Sequence, residues 1–356
     1  MPLLARPSRR FAGPRIAALA TSDVGEVLTQ AQVLERLGLA GDEWAQRIFE
    51  RCGVKRRRMD LSEDFMARTL QGRTAEIEHD LLRQSIAAID ALGVDLSAVG
   101  TVVSSSLYTL GCPTLAHRIV DHYEMDPATD KYHIAGVGCA SGVPLLRFAA
   151  QALAGQPLAG QPGAQALVLA ADSMSGILTH SAPTDPKAKI VGSAIFGDGC
   201  AAALLSSDAG ADGPIVLGTQ VHQIAGTLGA VTLEFESDNS YLYLAKDLPD
   251  LAGAGLMGVL ERFLARHRVA RADIGHWMVH PGGRRIIESV QEALELSDEE
   301  VAISWDALAE HGNVGTPSIF YVLEETLEQR PPAPGEYGLM VTIGPGVTVG
   351  LMLLRW

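Results

Sequence analysis

The chain has 356 residues, 47% of them apolar and 20% charged, which excludes a disordered or fibrous protein and provides for a large buried core. Lys and Arg number 28 against 42 Asp and Glu, a formal net charge of −14, so the molecule as a whole has no pull toward nucleic acid or anionic lipid. An anionic ligand must be met by a local basic cluster or by helix N-termini.

The chain opens with MPLLARPSRRFAGPRIAALAT, whose apolar run is broken by Pro and Gly. It lacks the apolar core of a signal peptide, and no later stretch is apolar enough to span a bilayer. A cytoplasmic protein with no membrane partner is expected. The densest positive spot is Lys55-Arg56-Arg57-Arg58, with Arg51 one helical turn ahead of Lys55. It suits phosphate groups, or equally a solvated face paired with Asp60, Glu63 and Asp64.

Apolar residues at helical spacing predict a helix over Glu76–Leu92, and a β-branched run predicts a strand over Ala98–Ser104. A strand over Lys131–Ala135 then leads into GVGCASG and a helix carrying Val143, Leu145, Leu146 and Phe148. Cys139 in this turn faces unpaired N–H groups and the positive end of a helix dipole, which lower a thiol pKa. A small buried residue in a tight turn is the competing reading. Further on, Leu256–His267 predicts a helix and His276–Val279 a strand that ends at His280, before ProGlyGly and a helix beginning near Ile286. A histidine at a strand end points into a cleft, whereas His276 lies inside the strand. Asn313, in HGNVGTP, is read as the start of the next helix, either as a plain cap or as an oxyanion donor.

These segments echo one another. Val99-Gly100 matches Ile274-Gly275 at an offset of 175, the Cys139 stretch matches the Asn313 stretch at an offset of 174, and AIFGDGCAAALLSS matches VTIGPGVTVGLMLL as a glycine turn before an apolar strand, all three in the same order. Two copies of one α/β unit are expected, residues 1–210 and 211–356, with sheets packed back to back and equivalent loops facing one cleft. Cys, His and Asn at one cleft suit acyl transfer. The remaining cysteines, Cys52, Cys112 and Cys200, form no CxxC pair with Cys139, so neither disulfides nor zinc are expected. His180, His222 and Asp185 have no metal-ligand spacing, and PheGlyAspGlyCys at 196–200 lacks a nucleotide-binding fingerprint. No metal, ATP or NAD is predicted.

GVGCASG, GSAIFGDGCAAAL, WMVHPGGRRI, HGNVGTPS and IGPGVTVGLMLL together resemble the type III polyketide synthases, the chalcone synthase-like group of the thiolase superfamily. The resemblance implies a layered αβαβα thiolase fold and a homodimer. It implies that Cys139 carries the acyl chain, while His280 and Asn313 stabilise the enolate formed from malonyl-CoA. CoA thioesters are then substrates, Arg51 and Lys55 match CoA-binding positions, and Phe196 matches a gatekeeping phenylalanine. Gly176, Thr179, Leu233, Leu242 and Gly315 match cavity positions, and Cys112 falls near a residue that closes the partner's cavity. Leu233 and Leu242 favour an aliphatic starter and an alkylpyrone or alkylresorcinol product. The competing readings are a single-condensation ketoacyl synthase, whose histidine is usually followed by a different pattern, and a catalytically silent acyl-binding protein.

Overall fold

The computed structural model describes residues 13–107, 111–155, 164–178, 185–236 and 239–356. The helix predicted from Glu76 begins earlier, at Leu70, because Thr69 caps it by accepting from the Gly72 N–H at 3.2 Å. It runs to Leu92 and stops at Gly93, whose φ of 62° takes the left-handed conformation. Ile77, Leu81, Ala88 and Ile89 form its buried face. The predicted strand becomes Val99–Ser106, and Leu256–His267 is a helix over the predicted range.

Nine strands form one sheet in the order Ile274–Val279, Tyr337–Gly344, Thr348–Arg355, Ile215–Gln223, Arg15–Thr21, Gly199–Ser206, Gln165–Asp172, Val99–Ser106, Asp130–Ala135. From the middle outward the two sides repeat one plan. On each side an antiparallel pair, Gly199–Ser206 with Gln165–Asp172 or Thr348–Arg355 with Tyr337–Gly344, is followed by a parallel strand. The two groups of strands are also linked at one edge. Arg15 pairs with Ile215, and Ile16 and Val216 donate to the carbonyls of Pro214 and Pro14 at 3.0 and 2.9 Å.

The layers follow from where the apolar residues go. Helix Gly142–Gly155 packs on strands from both sides, and so does helix Ser318–Gln329. Val143, Leu146, Ile319 and Leu323 fill a central core between the two groups of strands. A second core lies under the helices of the first half, around Leu81 and Leu167, and a third under those of the second half, around Phe263 and Val290. Three helical layers alternating with two strand layers give the αβαβα arrangement. Strands buried on both faces read as continuous apolar runs, as Ala166–Ala171 does. Parallel strands open their C-terminal ends onto a crevice, and Cys139 and His280 each follow such an end. Among the described residues no helix is long and apolar enough to cross a membrane.

Candidate active site

Cys139 lies in a 3-10 turn, Gly138–Ser141, that runs directly into the central helix Gly142–Gly155. Gly138 takes φ +58°, and a Cβ there would press on Pro345 at 3.0 Å, so the glycine lets the closing GPG loop pack against the cysteine turn. Thr342 fastens the same contact by donating to the Ala140 carbonyl at 3.3 Å. The half-buried thiol reaches Asn313, with Sγ 3.7 Å from Oδ1.

Asn313 does not begin a helix. It forms a parallel backbone bridge with Phe196, and the helix starts five residues later at Ser318. Its N–H donates to Ile195 O at 2.7 Å and its carbonyl accepts from Gly197 N–H at 3.0 Å. The side-chain oxygen also accepts from Gly315 N–H at 3.0 Å and Ser318 Oγ at 3.3 Å, which fixes the amide's orientation. Nδ2 gives one hydrogen to Gly282 O at 3.2 Å, and the other has no acceptor among the described residues. That carbonyl belongs to the turn after His280, closed by Gly282 N–H donating to His280 O at 2.8 Å. The amide therefore joins the cysteine turn to the histidine turn.

His280 is 1% exposed, and neither ring nitrogen has a partner among the described residues. Burial alone pushes its imidazole down to about 3, so the ring is neutral near pH 7. The thiol departs from the sequence expectation. Burial pushes Cys139 up to about 12, the charge of Asp172 adds to this, and the Asn313 contact only partly offsets it. Desolvation of the thiol outweighs the pull of the helix N-terminus.

The basic run dissolves in three dimensions. The helix Glu43–Arg51 stops at Arg51, so Lys55 is not one helical turn further along the same helix. Arg56 pairs with Glu310, and Arg58 donates to Asp23 O at 2.8 Å. Arg57 is buried at 1% exposure, donating to Ala194 O and, at 2.6 Å, to Ser193 O at the end of helix Lys187–Ile195. Its stem also lies against Gly197 and Gly312, on either side of the Phe196–Asn313 bridge. Arg51 and Lys55 are exposed and form no ion pair among the described residues. Replacing Arg57 with Leu should strand two helix-end carbonyls and lower stability by roughly 2–6 kcal/mol, at 1–3 kcal/mol per unmet group. A denaturant midpoint equal to the parent's would reject this bracing role.

Several predicted cavity residues converge. Leu233 and Leu242 are direct cross-strand partners in a separate two-stranded hairpin, Val231–Glu236 with Asn239–Leu244. The second of these strands packs on the turn Ser175–Ile177, which contains buried Gly176, and on helix Lys187–Ile195 leading to Phe196. Phe196 and Leu242 are buried in one cluster, with half-buried Leu233 against it. Gly315 is placed differently. At φ +72° its missing Cβ would lie 2.3 Å from the Asp172 carboxylate, so a side chain here strikes Asp172 first. Cys112 is exposed, and Thr179 lies outside the described residues.

The sequence reading missed Asp172, Thr316 and the inward turn of Arg57. Asp172 carried one signal, a carboxylate at the end of an otherwise apolar strand.

Three helical layers around two strand layers, with a cysteine turn on a central helix, define a thiolase-like fold. Among solved structures, PKS-I from the brown alga Ectocarpus siliculosus superposes with a TM-score of 0.86 at 24% identity, covering 96% of this chain and 98% of that one. The family model for chalcone and stilbene synthases, C-terminal domain, matches residues 216–356, and that for FAE1/type III polyketide synthase-like proteins matches residues 17–266. A 3,5-dihydroxyphenylacetyl-CoA synthase of Amycolatopsis balhimycina is 31% identical over 98% of this chain and 93% of its own length. A 1,3,6,8-tetrahydroxynaphthalene synthase of Streptomyces peucetius subsp. caesius is 31% identical over 76% of this chain and 70% of its own. The chain belongs to the type III polyketide synthase family, acyltransferases that work by decarboxylative condensation.

Proposed function

We propose that the chain loads an acyl group from an acyl-CoA onto Cys139, extends it with malonyl-CoA and cyclises the product within the same cavity. The observation that carries this reading is the Cys139–Asn313 approach of 3.7 Å, with the His280 turn tied to the same amide. In loading, neutral His280 takes the thiol proton as sulfur attacks the acyl carbonyl, and the departing CoA thiolate takes that proton back. Malonyl-CoA then loses CO2, leaving the electron pair of the broken C–C bond on the α-carbon as an enolate. The free N–H of Asn313, with His280 Nε2–H, holds the enolate oxygen. The enolate carbon bonds to the acyl carbon, and the C–S bond breaks to return the Cys139 thiolate.

Exposed, uncommitted Arg51 and Lys55 are suited to the CoA phosphates. Exposed Cys112 is suited to meeting a second copy in a homodimer, closing the partner's cavity. The apolar pair Leu233 and Leu242 supports an aliphatic starter and an alkylpyrone or alkylresorcinol product. A second reading, an aromatic polyhydroxy product, has support from the two relatives, a 3,5-dihydroxyphenylacetyl-CoA synthase and a 1,3,6,8-tetrahydroxynaphthalene synthase. Incubation with malonyl-CoA, with and without a panel of acyl-CoA starters, and mass identification of the products separates them. Products formed equally without a starter would reject the aliphatic reading, and one condensation per starter would reject repeated extension.

Cavity control has its own test. Leu242→Phe overfills the space beside Phe196 and should shift the product ratio toward shorter starters by roughly 5- to 150-fold, the equivalent of about 1–3 kcal/mol. Leu233→Gly should widen starter acceptance. Thermal destabilisation with an unchanged product spectrum would show that these residues serve folding only.

A further inference from the structure

Arg57 is a buried guanidinium with no ion pair among the described residues, and its contacts lie on both sides of the Phe196–Asn313 bridge. The head donates to Ala194 O and, at 2.6 Å, to Ser193 O, just ahead of Ile195, whose own carbonyl accepts from Asn313 N–H at 2.7 Å. Helix Lys187–Ile195 has no basic residue in its last turn, so a cation from another segment meets its negative end. The stem makes a second set of contacts. A Cβ at Gly197 would come within 3.1 Å of Arg57 Cβ, and one at Gly312 within 3.3 Å of its Cδ, so the two bridged segments close on the arginine where neither has a side chain.

The backbone around Arg57 spans the same two segments. Lys55 N–H donates to Ala309 O at 2.8 Å, in the helix Asp298–His311 that leads to Asn313, and Arg58 O accepts from Asp198 N–H at 2.8 Å, just past Phe196. The far side of the Asn313 loop is fixed separately. There Asp172 accepts from Leu107 N–H and, at 2.7 Å, from Thr316 N–H, while Thr316 Oγ1 donates to Gly138 O at 3.1 Å beside Cys139. With the amide oxygen of Asn313 3.7 Å from Cys139 Sγ, a shift of the bridge moves the amide relative to the sulfur. An apolar side chain of similar length would fill the space of Arg57 without burying a charge, but only a guanidinium offers two directed donors to adjacent carbonyls.

We propose that Arg57 is a positioning residue for the condensation, holding the Phe196–Asn313 bridge so that the free N–H of Asn313 meets the enolate oxygen beside Cys139. Arg57 acts only through the bridge, and loading of Cys139 does not call on it. This inference rests on the Asn313 amide serving extension.

The test separates loading from extension in three variants. Arg57→Lys keeps the charge but loses the fork, Arg57→Met keeps the stem alone, and Gln30→Leu removes another donor to Ala194 O, 2.9 Å away. Each protein receives the acyl-CoA that the parent loads fastest among acetyl-, hexanoyl- and decanoyl-CoA. Acyl-enzyme is counted by intact mass, and its single-turnover consumption by malonyl-CoA is timed per acylated site, which removes any loss of folded protein from the comparison. In Arg57→Met this extension should slow at least about tenfold with loading per folded protein unchanged, since a misplacement of about 1 Å costs up to about 10^2-fold. Arg57→Lys should fall between Arg57→Met and the parent, and Gln30→Leu should extend as the parent does. Parental extension by Arg57→Met, or loading and extension slowed by one factor, overturns the positioning role. So does an extension defect in Gln30→Leu equal to that of Arg57→Met, because any loosening of the helix end would then suffice. If neither Arg57 variant folds, Gly197→Ala decides: its methyl group presses on the Arg57 stem and leaves every donor in place, so an unchanged ratio of extension to loading overturns the proposal. Should Asn313→Ala extend as fast as the parent, it is the reading of the amide that fails, whatever the Arg57 variants do.

Discussion

Replacing Cys139 with alanine is expected to abolish condensation, with a loss of at least roughly 10^3-fold in kcat, while the fold survives. The thiol is half-buried, and its one polar contact among the described residues, to Asn313 at 3.7 Å, is long, so its removal leaves little unsatisfied. Intact-mass measurement after incubation with an acyl-CoA should show an added acyl group on the parent and none on the variant. Acylation of the variant, or of Cys52, Cys112 or Cys200 in the parent with turnover retained, would reject the assignment. The resting thiol adds a requirement. Because burial pushes it up to about 12, loading should depend on His280 as proton acceptor rather than on a standing thiolate.

Asn313→Ala and His280→Ala should separate the two halves of the reaction. Losing an oxyanion donor costs about 10^2- to 10^3-fold, so both variants should lose decarboxylation and extension by that order. Loading should respond differently. Asn313→Ala should still accumulate the acyl-enzyme, whereas His280→Ala should load slowly at neutral pH and recover as the medium becomes more basic. Single-turnover mass measurements across pH resolve this, and wild-type extension by Asn313→Ala would remove the amide from the mechanism. The Asn313 variant also gives up the bonds to Gly282, Gly315 and Ser318, so its melting temperature must be read alongside its rate.

The sequence made legible what depends on periodicity and on local turns. Leu256–His267 announces itself by its apolar stripe, and the strands before Cys139 and His280 by their composition and the glycines that follow. The pairing of Cys139 with Asn313 was legible through the internal repeat. What stayed hidden depends on partners remote in the chain. A run of four basic residues reads as surface, and only the fold shows Arg57 turned inward onto helix-end carbonyls. A lone carboxylate at a strand end reads as a stop, and only the meeting of Leu107 with Thr316 gives Asp172 its place. The upward push of burial on the thiol also stayed hidden, because a helix dipole is visible in sequence and desolvation is not. Asn313 was misplaced because its partner in the backbone bridge, Phe196, lies in the other half.

The hairpin that carries Leu233 and Leu242 stands apart from the nine-stranded sheet. Cys139, His280 and Asn313 hang from that larger sheet and its central helices, so the hairpin can change side chains without pulling on the ladder that aligns them. Phe196 joins Asn313 through main-chain atoms, which any residue supplies, so its ring too can be exchanged while the bridge persists. A scaffold divided in this way lets the side chains around Phe196 change while the ladder that carries Cys139, His280 and Asn313 stays in place.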